Sequence, residues 1–550
     1  MITAGLNRPE FEYDIHSLVK AFYPEQEVLV KAAPREALPE SDYHIDVFYG
    51  EDQTVFSLLR GTRREPVVNR TGSENAADGA EHEFPVGSEQ VPHFMAECPG
   101  PVRNPAAAGS ESKELLAQEI VLVSLTADRG TRVSELKRGL YRLLSRFSGR
   151  TLPWGTLTGI RPTKMPLEML MAGKTDGEIR TFMRESYYTS DEKIALSTEV
   201  AHNELELLSR IDYGDGCSLY IGIPFCPSTC LYCSFTSYPI GQWRKRVDEY
   251  LDCLCREIDF AAERCAGKYV NTVYIGGGTP TSLEPEQLER LLTRIGERFH
   301  LFDASGRFVY GGENHLLEVT VEAGRPDSIT EEKLRVLYGH NVSRISINPQ
   351  TMKEETLRLI GRNHTVEQTR ERFRLARSIG FDNINMDLIV GLPEESYEDV
   401  CRTMDAIADL APDNVTVHSL AVKRAARLRV QREDYGHLHI ENTWETIRMT
   451  ADRCRAMGMS PYYLYRQKNM AGNFENVGYA APGKAGVYNI LMMEDRQTIF
   501  ALGAGAITKV IPKEGNRIER AANVKDIKNY LERIDEMIER KRILLDKEGF

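Results

Sequence analysis

Residues Ser218 to Phe235 read SLYIGIPFCPSTCLYCSF, with cysteines at Cys226, Cys230 and Cys233. This C-x3-C-x2-C spacing follows an apolar run that reads as a strand, so three thiols share one tight loop. Zinc is one candidate, but structural zinc takes four closed ligands, usually from two paired knuckles. The nearest spare thiol, Cys217, sits at the other end of the strand, over ~20 Å away along seven extended residues. An iron–sulfur cubane fits better, because its irons are held by cysteine thiolates, normally four. Three thiolates leave one iron with a vacant position, the arrangement that separates catalytic metal sites from closed structural ones.

Further residues able to do chemistry stand where apolar runs end. IGGGTPTSL (Ile275 to Leu283) closes one run, and its glycines allow backbone to approach a ligand, although GGG is as often a bare turn. Glu322 closes EVTVEAG, where a buried carboxylate is costly without a partner. A salt bridge to Arg325 or Arg344 is the plain explanation, and a ligand contact is the other. Asp387 sits among core-like neighbours in INMDLIVGLP, and Gln350 and Arg362 fall near the next strand and helix. Tyr220 is placed in its strand either to pack in the core or to face a ligand.

These positions need a scaffold. From Ser218 onward, six strand-like runs alternate with amphipathic helices: LYIGIPF, TVYIGGG, LEVTVEA, RISINPQ, NINMDLIVGLP and NVTVHSLAV. That alternation predicts an α/β fold with a parallel sheet. A partial (β/α)6 barrel is favoured over a doubly wound sheet, because barrels assemble their sites from C-terminal strand ends. The expected organisation is an N-terminal α/β domain over 1–150, a helical linker over 151–215 with WGTLTGIRPTK, the barrel over 216–430 and a C-terminal α+β extension over 431–550. Residues 62–112 are rich in Pro, Gly, Ala, Ser and Glu without an apolar period, which predicts a disordered insertion.

Of 550 residues 41% are hydrophobic, ample for buried cores. A net charge of −12 argues against nucleic-acid binding by bulk electrostatics. No run approaches the length of a membrane span and the first residues show no secretory pattern. Ten cysteines, mostly scattered, indicate a reducing, cytoplasmic setting.

On these residues the chain resembles a known family. The three-cysteine loop after the first barrel strand, with Tyr232 just before the third cysteine, resembles the radical S-adenosylmethionine superfamily. YIGIPFC and GGGTPT narrow this to the oxygen-independent coproporphyrinogen III oxidases, also called coproporphyrinogen dehydrogenases. WGTLTGIRPTK, VEAGRPDSIT, RISINPQTM, NMDLIVGLP and YYLYRQKN resemble its N-terminally extended, HemZ-like branch. The similarity runs from about Trp154 to the C-terminus, and residues 1–150 share it only in outline. It implies a [4Fe-4S] cluster on Cys226, Cys230 and Cys233. It further implies S-adenosyl-L-methionine on Tyr220, Tyr232, Gly277, Gly278, Thr279, Glu322, Gln350, Arg362, Asp387 and Ala421. Two positions depart from the family's chemically best-matched members: Phe235 stands where they carry another cysteine, and Gly222 where they carry a histidine.

The resemblance implies radical chemistry without an acid–base pair: oxidative decarboxylation of coproporphyrinogen III propionates to vinyl groups, giving protoporphyrinogen IX. The expected partners are a tetrapyrrole substrate and an electron donor such as flavodoxin or ferredoxin. A four-carboxylate substrate calls for cations. Lys423 and Arg424 in KRAARLRVQR and Arg466 in YLYRQKN are candidates, with a solvated helix face as the alternative for the first two. Two other functions share the same core: a haem-binding chaperone or insertase, and another radical enzyme acting on haem.

Overall fold

The computed structural model describes the chain apart from residues 25, 61–114, 124–125, 422–425, 431–437, 468–473, 513–516 and 550. The polar stretch 62–112 therefore lies outside the described residues. Met1–Arg150 and Thr151–Phe550 form two compact units.

The first unit is a five-stranded sheet of β1 (Ile2–Leu6), β2 (Val28–Lys31), β3 (Tyr43–Tyr49), β4 (Gln53–Arg60) and β5 (Leu115–Leu122), in the order β2-β1-β3-β4-β5. β1 pairs parallel with β2 and β3, and the β3-β4-β5 ribbon is antiparallel. Helices Glu12–Phe22 and Arg129–Ser148 pack on it. The second begins at Asp128, whose carboxylate accepts the Thr131 N–H at 3.1 Å, and ends at Gly149, φ 65°. This is the left-handed cap that glycine adopts without a Cβ penalty. The periodicity did not predict β1, because all five of its residues are buried and no polar face alternates with an apolar one.

The second unit starts with three helices, Lys164–Met171, Asp176–Tyr187 and Asp191–Leu208, in the stretch expected as a helical linker. Next come β6 (Gly216–Ile223), the short strands β7 (Phe225–Cys226) and β8 (Tyr238–Pro239), β9 (Tyr269–Gly277), β10 (Glu318–Glu322), β11 (Arg344–Ser346), β12 (Ile384–Val390) and β13 (Asn414–Ser419). The chain ends with β14 (Ser460–Tyr465), β15 (Asn476–Ala480), β16 (Thr498–Leu502), β17 (Ile507–Val510) and β18 (Glu519–Ala522), followed by helices Ile527–Glu532 and Ile534–Lys547.

Eleven of these strands form one sheet, ordered β14-β15-β13-β12-β11-β10-β9-β6-β16-β17-β18. β6 and β9 to β13 are parallel neighbours in chain order, the partial (β/α)6 barrel. The C-terminal extension continues the sheet on both sides, β15 antiparallel on β13 and β16 parallel on β6. Strands on both sides of the expected boundary near residue 430 thus share one sheet.

The strands alternate in a way that makes the site possible. Leu219, Ile221, Val273, Ile275, Val319 and Val321 are buried in the main core with Leu254, Ile258, Leu291 and Ile295 from the crossover helices Val247–Arg264 and Pro285–Arg298. The intervening positions face the other way and are polar or glycine: Tyr220 and Gly222, Tyr274 and Gly276, Thr320 and Glu322, Arg344 and Ser346. Period-two side-chain alternation therefore places the hydrophobic stabilisation behind the sheet and leaves a polar lumen in front.

Candidate functional site

The cysteine loop is anchored at each end and in its middle. β7 pairs parallel with β8, and the Tyr238 N–H donates to the Pro224 carbonyl at 2.8 Å. Phe225 is fully buried edge-on against Tyr250, with ring centroids 5.3 Å apart. Between these ends, the Leu231 N–H donates to Ile360 O at 2.9 Å and Ser228 Oγ to Gly361 O at 2.8 Å. Leu231 itself sits in a small apolar cluster with Ile360, Ile389, Leu392, Leu420 and Leu428.

Each thiol has a polar neighbour. Thr279 Oγ1 donates to Cys226 Sγ at 3.3 Å, Arg325 Nη1 to Cys230 Sγ at 3.7 Å, and Ser237 Oγ lies 3.8 Å from Cys233 Sγ. Cys226 and Cys230 are buried and Cys233 is half-buried. Burial pushes the Cys226 thiol up to about 12, with the charges of Cys233 and Cys230 adding to the effect, and burial also raises Cys233. Such thiols become thiolates only against strong positive charge, which metal binding provides.

The donor set fits a cluster. Among the described residues no three His, Cys, Asp or Glu side chains converge to hold a single metal ion. A cubane asks for something else, three soft sulfurs on three different irons. Cys217 is fully buried at the far end of β6, its sulfur 3.3 Å from that of Cys265, and takes no part in the loop.

Gly277 and Gly278 follow directly on the lumen face. Gly277 has φ 109°, a conformation that favours glycine. A Cβ on Gly278 would lie 2.7 Å from Phe225 O and 3.0 Å from Cys226 Sγ. The Gly278 and Thr279 N–H groups donate to Ile223 O and Phe225 O, both at 2.7 Å, which locks the glycine loop against the cysteine strand.

Tyr220 lies within the lumen in a stack with Tyr274 and Tyr488, centroids 6.2 and 6.5 Å from its own. Tyr274 Oη donates to Glu322 Oε1 at 2.5 Å. Burial raises Glu322 to about 7, opposed by that hydrogen bond and reinforced by Asp387. Of the two salt bridges open to Glu322 on sequence, the Arg325 one does not form: Arg325 pairs instead with Asp327 at 2.7 Å. Arg344 stays nearby as a charged neighbour.

Asp387 faces the lumen from β12. Burial works against its charge, yet His418, Asn385 and Thr416 hold its carboxyl below the usual range. Asn385 Nδ2 donates to it at 2.7 Å and His418 Nε2 lies 3.8 Å away. Gln350 has φ 68° and bridges to β12, its N–H donating to Asp387 O at 3.0 Å. Arg362 is buried with Nη1 on Asn348 O at 2.5 Å; burial opposes its charge, but Tyr232 and Cys230 beside it raise its pKa. Gln350 Oε1 and Arg362 Nε are buried without a hydrogen-bond partner. An acceptor and a donor left over beside the thiols suit a polar cofactor bound there. Ala421 lies two residues beyond the end of β13, half-buried.

The expected substrate contacts stand differently. Lys423 and Arg424 lie outside the described residues. Arg466 is buried over the Trp154 ring, 5.7 Å from its centroid, and donates to Leu157 O at 2.5 Å. Glu475 takes the Trp154 indole N–H at 2.8 Å and the Lys193 ammonium on its other oxygen. The WGTLTGIRPTK stretch is thus tied to the chain leading into β15. Among lumen residues, sequence reasoning missed Tyr274 and His418, although two-residue steps along each strand from Gly276 and Thr416 reach both.

Residues 220–407 match the family model described as the Radical SAM superfamily. The oxygen-independent coproporphyrinogen-III oxidase-like protein HemZ of Bacillus subtilis is 40% identical over 402 residues, 72% of this chain and 78% of that protein. The heme chaperone HemW of the same organism is 31% identical over 323 residues, 58% of this chain and 76% of that one. Among solved structures, the coproporphyrinogen III oxidase HemN of Escherichia coli overlays with a TM-score of 0.46 at 24% identity, covering 61% of this chain and 72% of its own.

Proposed function

Because the chain belongs to the oxygen-independent coproporphyrinogen III oxidase-like family of radical S-adenosylmethionine proteins, we propose that it decarboxylates propionate side chains of coproporphyrinogen III to vinyl groups. The superfamily's cofactors are a [4Fe-4S] cluster and S-adenosyl-L-methionine. Cys226, Cys230 and Cys233 would hold the first. Tyr220, Tyr232, Gly277, Gly278, Thr279, Glu322, Gln350, Arg362, Asp387 and Ala421 would hold the second. When bound, they would supply 5′-deoxyadenosyl radical chemistry able to remove a hydrogen atom from a propionate β-carbon, with carbon dioxide released and one electron passed to an external acceptor.

This chain's residues bind, orient and exclude water. Leu231, Ile360 and Leu392 keep one side of the loop apolar. Glu322 on β10 and Asp387 on β12, with β11 between them, offer carboxylates of different proton affinity, one raised and one lowered. The observation that most supports the reading is the run of polar lumen positions ending beside three thiols, two buried and one half-buried. An electron donor such as flavodoxin or ferredoxin would act from outside. No helix among the described residues is long and apolar enough to cross a membrane.

One observation favours a second reading, that of a haem chaperone. Phe235, at the position of the oxidases' further cysteine, is 69% exposed, and at Gly222, where they carry a histidine, a Cβ would sit tightly at 3.2 Å from Leu502 O. Anaerobic incubation of cluster-loaded protein with coproporphyrinogen III, S-adenosylmethionine and a reductant separates the two. Carbon dioxide release with vinyl product supports the oxidase; stable haem binding without turnover replaces it with the chaperone.

A further inference from the structure

We propose that Arg325 is a positioning residue that raises the reduction potential of the cluster through its contact with Cys230. The proposal rests on reading the three cysteines as cluster ligands. The contact is built from several sides. Arg325 is only 3% exposed. Its Nη1 points to Cys230 Sγ at 3.7 Å and also donates to Ser228 O at 3.2 Å. Nη2 donates to Ser228 Oγ at 3.1 Å, and the Nε/Nη2 edge forks onto Asp327 at 2.9 and 2.7 Å. Every edge of the guanidinium is used, so the group cannot swing away from the sulfur.

The three sulfurs are therefore not equivalent. Cys226 takes a threonine hydroxyl and Cys233 lies beside a serine hydroxyl, both neutral. Cys230 takes a buried cation, with Arg362 as a second guanidinium beside it. Reduction adds one electron to the cluster and no atoms, so negative charge on its sulfurs grows. Charge-assisted N–H donors to ligand sulfur stabilise that state more than the oxidised one, and hydrogen bonds to the sulfurs are among the recognised determinants of potential. Asp327 fixes the fork and tempers its charge. GRPD in VEAGRPDSIT thus acquires a role that its place after the third barrel strand did not disclose.

The test is a potentiometric titration with dithionite, followed by electron paramagnetic resonance, on full-length protein loaded anaerobically with iron and sulfide. R325Q is expected to keep its iron and sulfide content and to become harder to reduce. A tenfold change in the one-electron equilibrium, 59 mV downward, is the expected minimum. R325K keeps the charge but loses the fork and should shift the same way by less. R325Q loaded with wild-type potential overturns the proposal. If R325Q does not load, R325K decides: a downward shift supports the proposal and a wild-type potential overturns it. Wild-type protein that takes up no cluster at all defeats the ligand reading instead, a separate outcome.

Discussion

Tyr274 Oη and Glu322 Oε1 lie 2.5 Å apart across adjacent strands, a phenol donating to a carboxyl that burial has raised to about 7. This hydrogen bond fixes the carboxyl at the end of β10, and it leaves the proton affinity of Glu322 close to neutrality.

That affinity has a consequence for stability. Between pH 4.5, the ordinary value, and about 7, folded protein holds a proton on Glu322 that the unfolded chain has released. Stability contributed by this site therefore falls as pH rises through that window and stays low above it. E322Q, which cannot ionise, should lie close to wild type at pH 4.5 and be more stable at pH 8 by about 3 kcal/mol. Urea unfolding of the cofactor-free protein at both pH values measures the difference; equal stability of the two proteins at pH 8 would contradict it.

Loss of the loop thiols should remove the cofactor and spare the fold. C226S, C230S and C233S, singly or together, are expected to lose nearly all loaded iron and the associated visible absorption. The loop would still be held by Leu231, Ser228 and Phe225, which do not depend on sulfur. Iron analysis paired with a thermal melt reads both; a triple variant that retains iron would refute the assignment.

Gly278 has no room for a methyl group, since the nearest atom to a Cβ there is the Phe225 carbonyl, part of the backbone. G278A should cost about 1–3 kcal/mol, the usual price of overpacking, and should loosen Cys226 along with it. Gly267 has open space around its Cβ, but its φ of 81° makes it a poor control; Gly241, also open and with no positive φ, serves better. G241A near wild type with G278A destabilised and low in iron is the expected pair of results.

The C-terminal helix is joined to the barrel by Lys541 and Glu257, both fully buried, 2.6 Å apart. Glu257 also takes Tyr530 Oη at 2.6 Å and the Gly503 N–H at 2.7 Å. Removing one member leaves a buried charge, so K541M should destabilise by about 3–5 kcal/mol. The double variant K541M/E257L should recover part of that loss, measured by chemical denaturation. A K541M protein as stable as wild type would show that the pair is not held as a buried charge pair.

Much of the site was legible before any tertiary information. Three cysteines in C-x3-C-x2-C and six alternating strand–helix units are local patterns, written by spacing and by a two-residue period. Thiol chemistry and the sheet's parallel character follow from them. The period failed at β1, buried on both faces.

What the amino-acid order alone determined here is therefore which residue types stand at strand ends and which face of each strand is polar. Only the folded chain decided who meets whom: Arg325 on Cys230 rather than Glu322, Tyr274 on Glu322, Arg466 over Trp154, and β16 beside β6. Those contacts join residues far apart in the chain. They are selected by packing and by the cost of leaving buried charge unpaired, terms that exist only once the sheet has brought distant segments together.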